Sequence, residues 1–265
     1  MAWICKAPLD VALGLNAGLD ATEKRRELIV EERLQDGPIY ELRIYKANEH
    51  RFQHLITRFR EYTDRIFARH NMNALGYWVP TDGTPRQKRR IVYILKHASR
   101  YEAYANWIHF SNDREWEKVL DMPQFRGLLD EKSTSIFMTE NDYSTKVANA
   151  IEEPGGVYEL RTYTCNKDKL AALNARFRDH STKLFNKHSI RNVSYWTPFD
   201  QPTGQDTLIY LIHHESREKA DANWRSFIND PAWKKVAKES QVDGKFLAKP
   251  PARIYLSPLE FSLLK

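Results

Sequence analysis

The 265-residue chain holds only two cysteines, Cys5 and Cys165. They lie in unrelated contexts and form no C-x-x-C or other ligand spacing, so they read as two free thiols in a reducing, cytoplasmic compartment. No apolar run approaches the ~18 residues a membrane-spanning helix needs, which predicts a soluble protein with no transmembrane segment. Residues 1–19 carry one Lys before an apolar stretch interrupted by Asp10, a poor secretory signal and too acidic for a good transit peptide. Gly-rich phosphate loops, nucleophile elbows and metal-ligand spacings are all missing, so neither a cofactor nor a metal is expected. A large excess of one charge is missing too: +6 is the small difference between 41 basic and 35 acidic residues. That describes a mixed charged surface and argues against nucleic acid as a partner.

Aromatic residues are plentiful, with 7 Trp, 13 Tyr and 12 Phe, which favours an aromatic-lined cavity or a subunit contact in a homo-oligomer. The dominant feature is an internal repeat. "YELRIY" at 40–45 returns as "YELRTY" at 158–163, and the same shift of 118 residues superposes "RFR" 58–60 on 176–178, His70 on His188 and "YW" 77–78 on 195–196. After one deletion the shift becomes 117 and aligns Tyr93 with Tyr210, "ANW" 105–107 with 222–224, and Trp116 with Trp233. Two copies of about 100 residues make a pair of domains. The expected division is a leader with a helix over 1–38, a first domain over 39–144, a linker over 145–156 and a second domain over 157–265.

Each copy reads as β-α-β-β-α-β. A strand is followed by a helix whose apolar residues recur at helical spacing, then by a hairpin, a helix entered at Ser99 with Glu102 three residues on, and a last strand. That order is the ferredoxin-like α+β unit, whose first and third strands are central and whose helices lie on one face. The uncovered faces of two such units would be buried against each other.

The stretch "YELRTYTCNKDKLAALNARFRDHSTKLFNKHSI", followed by "YWTPFD" and "LIYLIHHESREKADANWRSFINDPAWKKV", resembles the NIPSNAP family, and the first copy resembles it more loosely. The resemblance implies a dimeric α/β barrel. Across that superfamily the fold serves cofactor-free monooxygenases, isomerases and lyases as well as dechlorinating or heme-binding enzymes. Animal NIPSNAP relatives are linked to mitochondria, vesicle transport and mitophagy signalling. The family often has a His in the middle of the first helix; His180 matches it, whereas the first copy has Tyr62 there.

In the first strand the period of two puts Tyr40, Leu42 and Ile44 on one face and Glu41, Arg43 and Tyr45 on the other. The helices are expected to take the apolar set, leaving Glu41, Arg43, Tyr45 and their counterparts Glu159, Arg161 and Tyr163 to point into the barrel. There the arginines would grip a carboxylate or enolate oxygen while a Tyr or Glu moves a proton, or each Arg would simply be neutralised by its Glu as a packing ion pair.

Tyr93 with His97, and Tyr210 with His214, share a face of the third strand, where His214 could act as a general base or end the strand on a backbone bond. His213 should face the other way, so "HH" is not a metal pair. His70 and His188 suit the helix dipole as last-turn residues. The tryptophans at 107, 116, 224 and 233 read as core. Of Tyr77 and Trp78, and of Tyr195 and Trp196, one ring of each pair goes in and one goes out, so each pair would line a pocket or mediate a subunit contact. The basic cluster 85–90, "PRQKRR", has no basic counterpart in the second copy and reads as a solvated turn.

Two functions follow. One is a small-molecule site doing cofactor-free proton transfer, isomerisation or oxygenation on an anionic or aromatic substrate. The other is a non-catalytic binding or scaffold protein associated with vesicles or organelles.

Overall fold

The computed structural model describes residues 37–145, 155–200 and 206–264. The expected leader helix, most of the linker and residues 201–205 within the expected hairpin of the second copy fall outside the described residues. The chain forms two compact units. The first runs to Val79 and adds Gly83–Phe137 and Phe261–Leu263; the second comprises Pro80–Asp82, Met138–Glu260 and Leu264.

In the first unit β1 (Ile39–Lys46) leads into α1, residues 52–69, then β2 (Asn73–Pro80), a short α2 (Pro85–Lys88), β3 (Arg90–His97), α3 (Arg100–Ser111), α4 (Arg114–Asp121) and β4 (Thr134–Glu140). β3 pairs antiparallel with β1 on one side and β2 on the other. The basic turn is the helix α2, with Pro85 at its start and Thr84 closing a capping box with Gln87. Ser99 caps α3 by accepting from the Glu102 N–H.

The second unit repeats the plan with β5 (Val157–Thr164), α5 over 170–187, β6 (Arg191–Pro198), β7 (Thr207–His214), α6 (Arg217–Asn229), α7 (Pro231–Glu239) and β8 (Ala252–Pro258). Its sheet runs β8-β5-β7-β6, so the first and third strands of the copy are central. The end of β4, Met138–Glu140, pairs with β6 in this unit. The expected α+β class, two tandem β-α-β-β-α-β repeats, is the observed one.

Both long helices carry a π-helical turn at the same place, Phe59–Thr63 in α1 and Phe177–Ser181 in α5. A hydroxyl donor sits at each: Thr63 donates to the Arg58 carbonyl at 3.1 Å and Ser181 to that of Arg176 at 3.3 Å, which holds the widened turn open. Arg58 and Arg176 are thus fixed at the start of the bulge, and both are buried. Between helices and sheet lies an aromatic core, which in the second unit gathers Tyr163, Phe177, Phe185, Tyr195, Tyr210, Trp224 and Phe227.

Candidate functional site

The face of β1 that carries Glu41, Arg43 and Tyr45 is the one the helices cover, not the one left bare. The Trp107 indole N–H of α3 donates to Glu41 Oε2 at 2.7 Å, and the Tyr45 ring meets Phe59 of α1 edge-on at 5.7 Å. The second unit does the same: Trp224 of α6 donates to Glu159 Oε2 at 2.6 Å, and Tyr163 meets Phe177 of α5 at 6.0 Å. The expectation that the helices take Tyr40, Leu42 and Ile44 is corrected. Polarity could not choose the face because Tyr40 and Leu42 are buried as well, and because a carboxylate paired with a guanidinium and an indole N–H can lie under a helix.

In the first unit Arg43 donates through Nη1 to Glu41 Oε1 at 2.6 Å and through Nη2 to the Tyr45 hydroxyl at 3.2 Å and to Ser133 at 3.0 Å. Ser135 donates to Glu41 Oε1 at 2.6 Å, and His97 Nε2 lies 3.4 Å from Oε2. The guanidinium stacks on Trp107 at 4.3 Å. Burial by itself would raise the Glu41 pKa, but Arg43, His97 and Ser135 together hold it well below the usual carboxylate range.

The second cluster is built alike but closed less tightly. Arg161 Nη1 donates to Glu159 Oε1 at 2.7 Å, its Nη2 lies 3.4 Å from the Tyr163 hydroxyl, and the guanidinium stacks on Trp224 at 4.3 Å. His214 Nε2 is 3.2 Å from Glu159 Oε2, and the Tyr210 hydroxyl donates to that of Tyr163 at 3.0 Å. Against burial, the His214 bond and Arg161 lower the Glu159 pKa. The matching bridges Ala47–Leu129 and Cys165–Leu247 return the shift to 118 after the last helices, so the positions equivalent to Ser133 and Ser135 are Pro251 and Arg253. Arg253 stands directly across from Arg161, so the seryl donors of the first unit are replaced by a second cation. The Arg161 side chain is 11% exposed against 4% for Arg43.

A further cation joins this cluster. Arg176, 8% exposed, lies 5.2 Å from the Trp233 ring and 4.8 Å from that of Phe246, and its Nη1 has only a long bond of 3.4 Å to Ser240. No described carboxylate pairs with it, and burial pulls its pKa below the ordinary value although the phenols of Tyr163 and Tyr210 oppose this. The same two phenols act on Arg161. Nearby Cys165 is buried and its thiol is pushed up to about 11, chiefly by burial, which makes it unreactive at neutral pH.

Each sequence-predicted residue has a definite place. Glu41, Arg43, Tyr45, Tyr93 and Tyr77 share one helix-covered face, with Tyr77 donating to Asp64 of α1 at 2.8 Å. Glu159, Arg161, Tyr163, Tyr210 and His214 gather in the second unit. Tyr195 stacks on Tyr210 at 5.2 Å and its hydroxyl bonds Asn192. Each arginine pairs within its own unit. His180 stands apart, exposed on the π turn. His213 faces the other way, bonded to the Gly155 carbonyl at 2.7 Å.

Sequence reading missed the indole bonds of Trp107 and Trp224, and it missed Arg176. The signals were present: "ANW" and "RFR" recur intact in both copies at positions where a mere core needs no such fidelity.

No curated protein matches this chain significantly. Among solved structures, a candidate monooxygenase of Fusobacterium nucleatum is 13% identical, covering 86% of this chain and 98% of its own, with a TM-score of 0.56. Another candidate monooxygenase, of Lactobacillus acidophilus, is 14% identical over 84% of this chain and 94% of its own, with a TM-score of 0.52. An anthrone oxidase-like protein is 11% identical over 85% and 92%, with a TM-score of 0.50. These likenesses establish a shared fold. The NIPSNAP family profile matches residues 40–144 and again residues 158–263. With both halves matched in tandem, the chain belongs to the NIPSNAP family.

Proposed function

We propose that this chain binds a small molecule with an anionic oxygen and an apolar or aromatic body at Arg176 of its second unit, beside the rings of Trp233 and Phe246 at the edge of the aromatic core. The observation that carries this reading is Arg176, a buried guanidinium with aromatic rings beside it and no described carboxylate partner. A buried cation left unpaired costs several kcal/mol, and an anionic ligand oxygen would offset that cost. Arg253, exposed and directly across from Arg161 on β8, adds a positive charge at the edge of this cluster. Glu159 pairs with Arg161, and the charge of Arg253 acts on Asp221.

Chemically, the Tyr210 and Tyr163 hydroxyls form a short chain toward Arg161. With His214 on Glu159, these groups could relay a proton to or from an enol or phenol held by the arginines, a cofactor-free proton transfer or isomerisation. The fold shared with candidate monooxygenases supports a small-molecule site without choosing the reaction. Arg43 is outside this site, since Glu41, Ser133 and Tyr45 already hold it.

A second reading, a non-catalytic binding or scaffold protein, draws on the first unit, where both oxygens of Glu41 are met by donors of the protein itself. Thermal unfolding with aromatic carboxylates such as salicylate and 2-naphthoate separates the two. Ligand binding should raise the melting temperature of the native chain by several degrees, and Arg176→Met and Arg161→Met should abolish the rise. No rise in the native chain, or one that survives both substitutions, rejects the anion site and leaves the scaffold reading.

A further inference from the structure

Away from this cluster, a groove of about 440 Å³ lies over the end of α5 and the junction of α6 with α7, lined by Lys187, His188, Arg225, Ser226, Asn229 and Asp230. Within it His188 Nδ1 is 2.8 Å from Ser226 Oγ, and His188 Nε2 is 2.7 Å from Asp230 Oδ2. We propose that Ser226, His188 and Asp230 form a nucleophilic Ser-His-Asp site that accepts acyl groups from activated esters, preferring esters with an anionic tail.

The tautomer follows from the partners. Asp230 Oδ1 accepts from the Ala232 N–H as the cap of α7, and Oδ2 also accepts from Lys187 Nζ at 2.7 Å. Lys187, His188 and that N–H hold the carboxyl well below the usual range, so it is ionised and can only accept. His188 must therefore carry its proton on Nε2, which leaves Nδ1 with a lone pair facing the serine hydroxyl. A base fixed in this way by a third group is the arrangement that activates a hydroxyl nucleophile.

The His–Asp pair alone is structural: the first unit has it as His70 and Asp113 at 2.8 Å. The first unit's residue equivalent to Ser226 is His109, however, so only the second unit sets a hydroxyl on the free nitrogen. Ser226 is exposed, and its groove holds Arg225 as a cation for an anionic tail, Lys187 being paired with Asp230.

In the reaction Ser226 Oγ adds to the ester carbonyl carbon as its proton moves to His188 Nδ1. The C–O bond to the leaving alcohol breaks, the alcohol takes that proton, and Ser226 is left as an acyl ester. Water then adds to the acyl carbon, giving its proton to Nδ1. The acyl bond breaks, and the proton returns to Ser226 Oγ as the carboxylic acid departs.

The test uses the full chain with a fluorophosphonate probe, followed by peptide mass spectrometry, and with mono-p-nitrophenyl succinate as ester. Phosphonylation at Ser226 is expected, lost in Ser226→Ala and slowed at least tenfold in His188→Gln at unchanged melting temperature, with ester hydrolysis falling in parallel. Absence of label on Ser226, or labelling indifferent to His188→Gln, overturns the proposal. Should His188→Gln unfold the chain, Ser226→Cys and Asn229→Cys decide. The cysteine at 226 should react with iodoacetamide at least fivefold faster than the one at 229, and equal rates reject the site.

Discussion

In the first unit Glu41 is met by Arg43, Ser135 and Trp107, and Arg43 by Tyr45 and Ser133, while Arg43 Nε, the Tyr93 hydroxyl and His97 Nδ1 have no hydrogen-bond partner among the described residues. In the second unit Glu159 and Arg161 keep their pairing and their indole, but Pro251 and Arg253 stand where the serines were, and Arg176 adds a cation. The first cluster is an ion pair that ties sheet to helix, and the second has the same frame with the additional guanidinium of Arg176. A buried pair contributes little net stability against an apolar substitute, yet breaking it is costly, so the first cluster acts as a lock.

The largest expected effect comes from breaking the lock. Glu41→Ala should cost about 3–5 kcal/mol in urea unfolding by leaving Arg43 buried without its carboxylate, and Glu159→Ala should cost about 1–2 kcal/mol less because Arg161 reaches solvent. Equal losses would erase the distinction between the units. The arginines should differ in sign of use: Arg43→Met should cost about 3–5 kcal/mol, whereas Arg176→Met should stay within about 1 kcal/mol of the native chain or exceed it. A larger loss at Arg176 would mean that it is structural.

Acid unfolding sharpens the same contrast. The folded pKa of Glu41 lies below its unfolded value, so its contribution is present above about pH 4.5 and is lost as pH falls below that. Glu41→Gln should therefore flatten the acid limb of a stability-versus-pH curve more than Glu159→Gln does. The smallest effects concern the replaced serines. Ser135→Ala should cost about 1 kcal/mol by removing a donor to Glu41, and Arg253→Ser should move stability by no more than about 0.5 kcal/mol while weakening anion binding.

Much of the fold was legible because it was written twice. The order of elements, the centrality of β5 and β7, and the cap at Ser99 all follow from local periodicity and cap chemistry. The period of two groups Glu41, Arg43 and Tyr45 on one face of β1, as the structure has them, but it does not tell that the helices cover that face or that His180 stands apart. Hydrophobic alternation marks the buried side of a strand only when the other side meets water, and here both sides are buried. Arg176 escaped notice because a guanidinium in a helix of mixed charge reads as solvated until a π turn and two aromatic rings enclose it.

The amino-acid sequence by itself determined the duplication, the strand and helix order, and the pairing of a carboxylate with a guanidinium two residues on, since all three depend on local spacing. Tertiary structure decided which face the helices cover, which arginine has no described carboxylate partner, and which serine lies against His188, because those depend on residues 38 to 94 positions apart in the chain meeting in space.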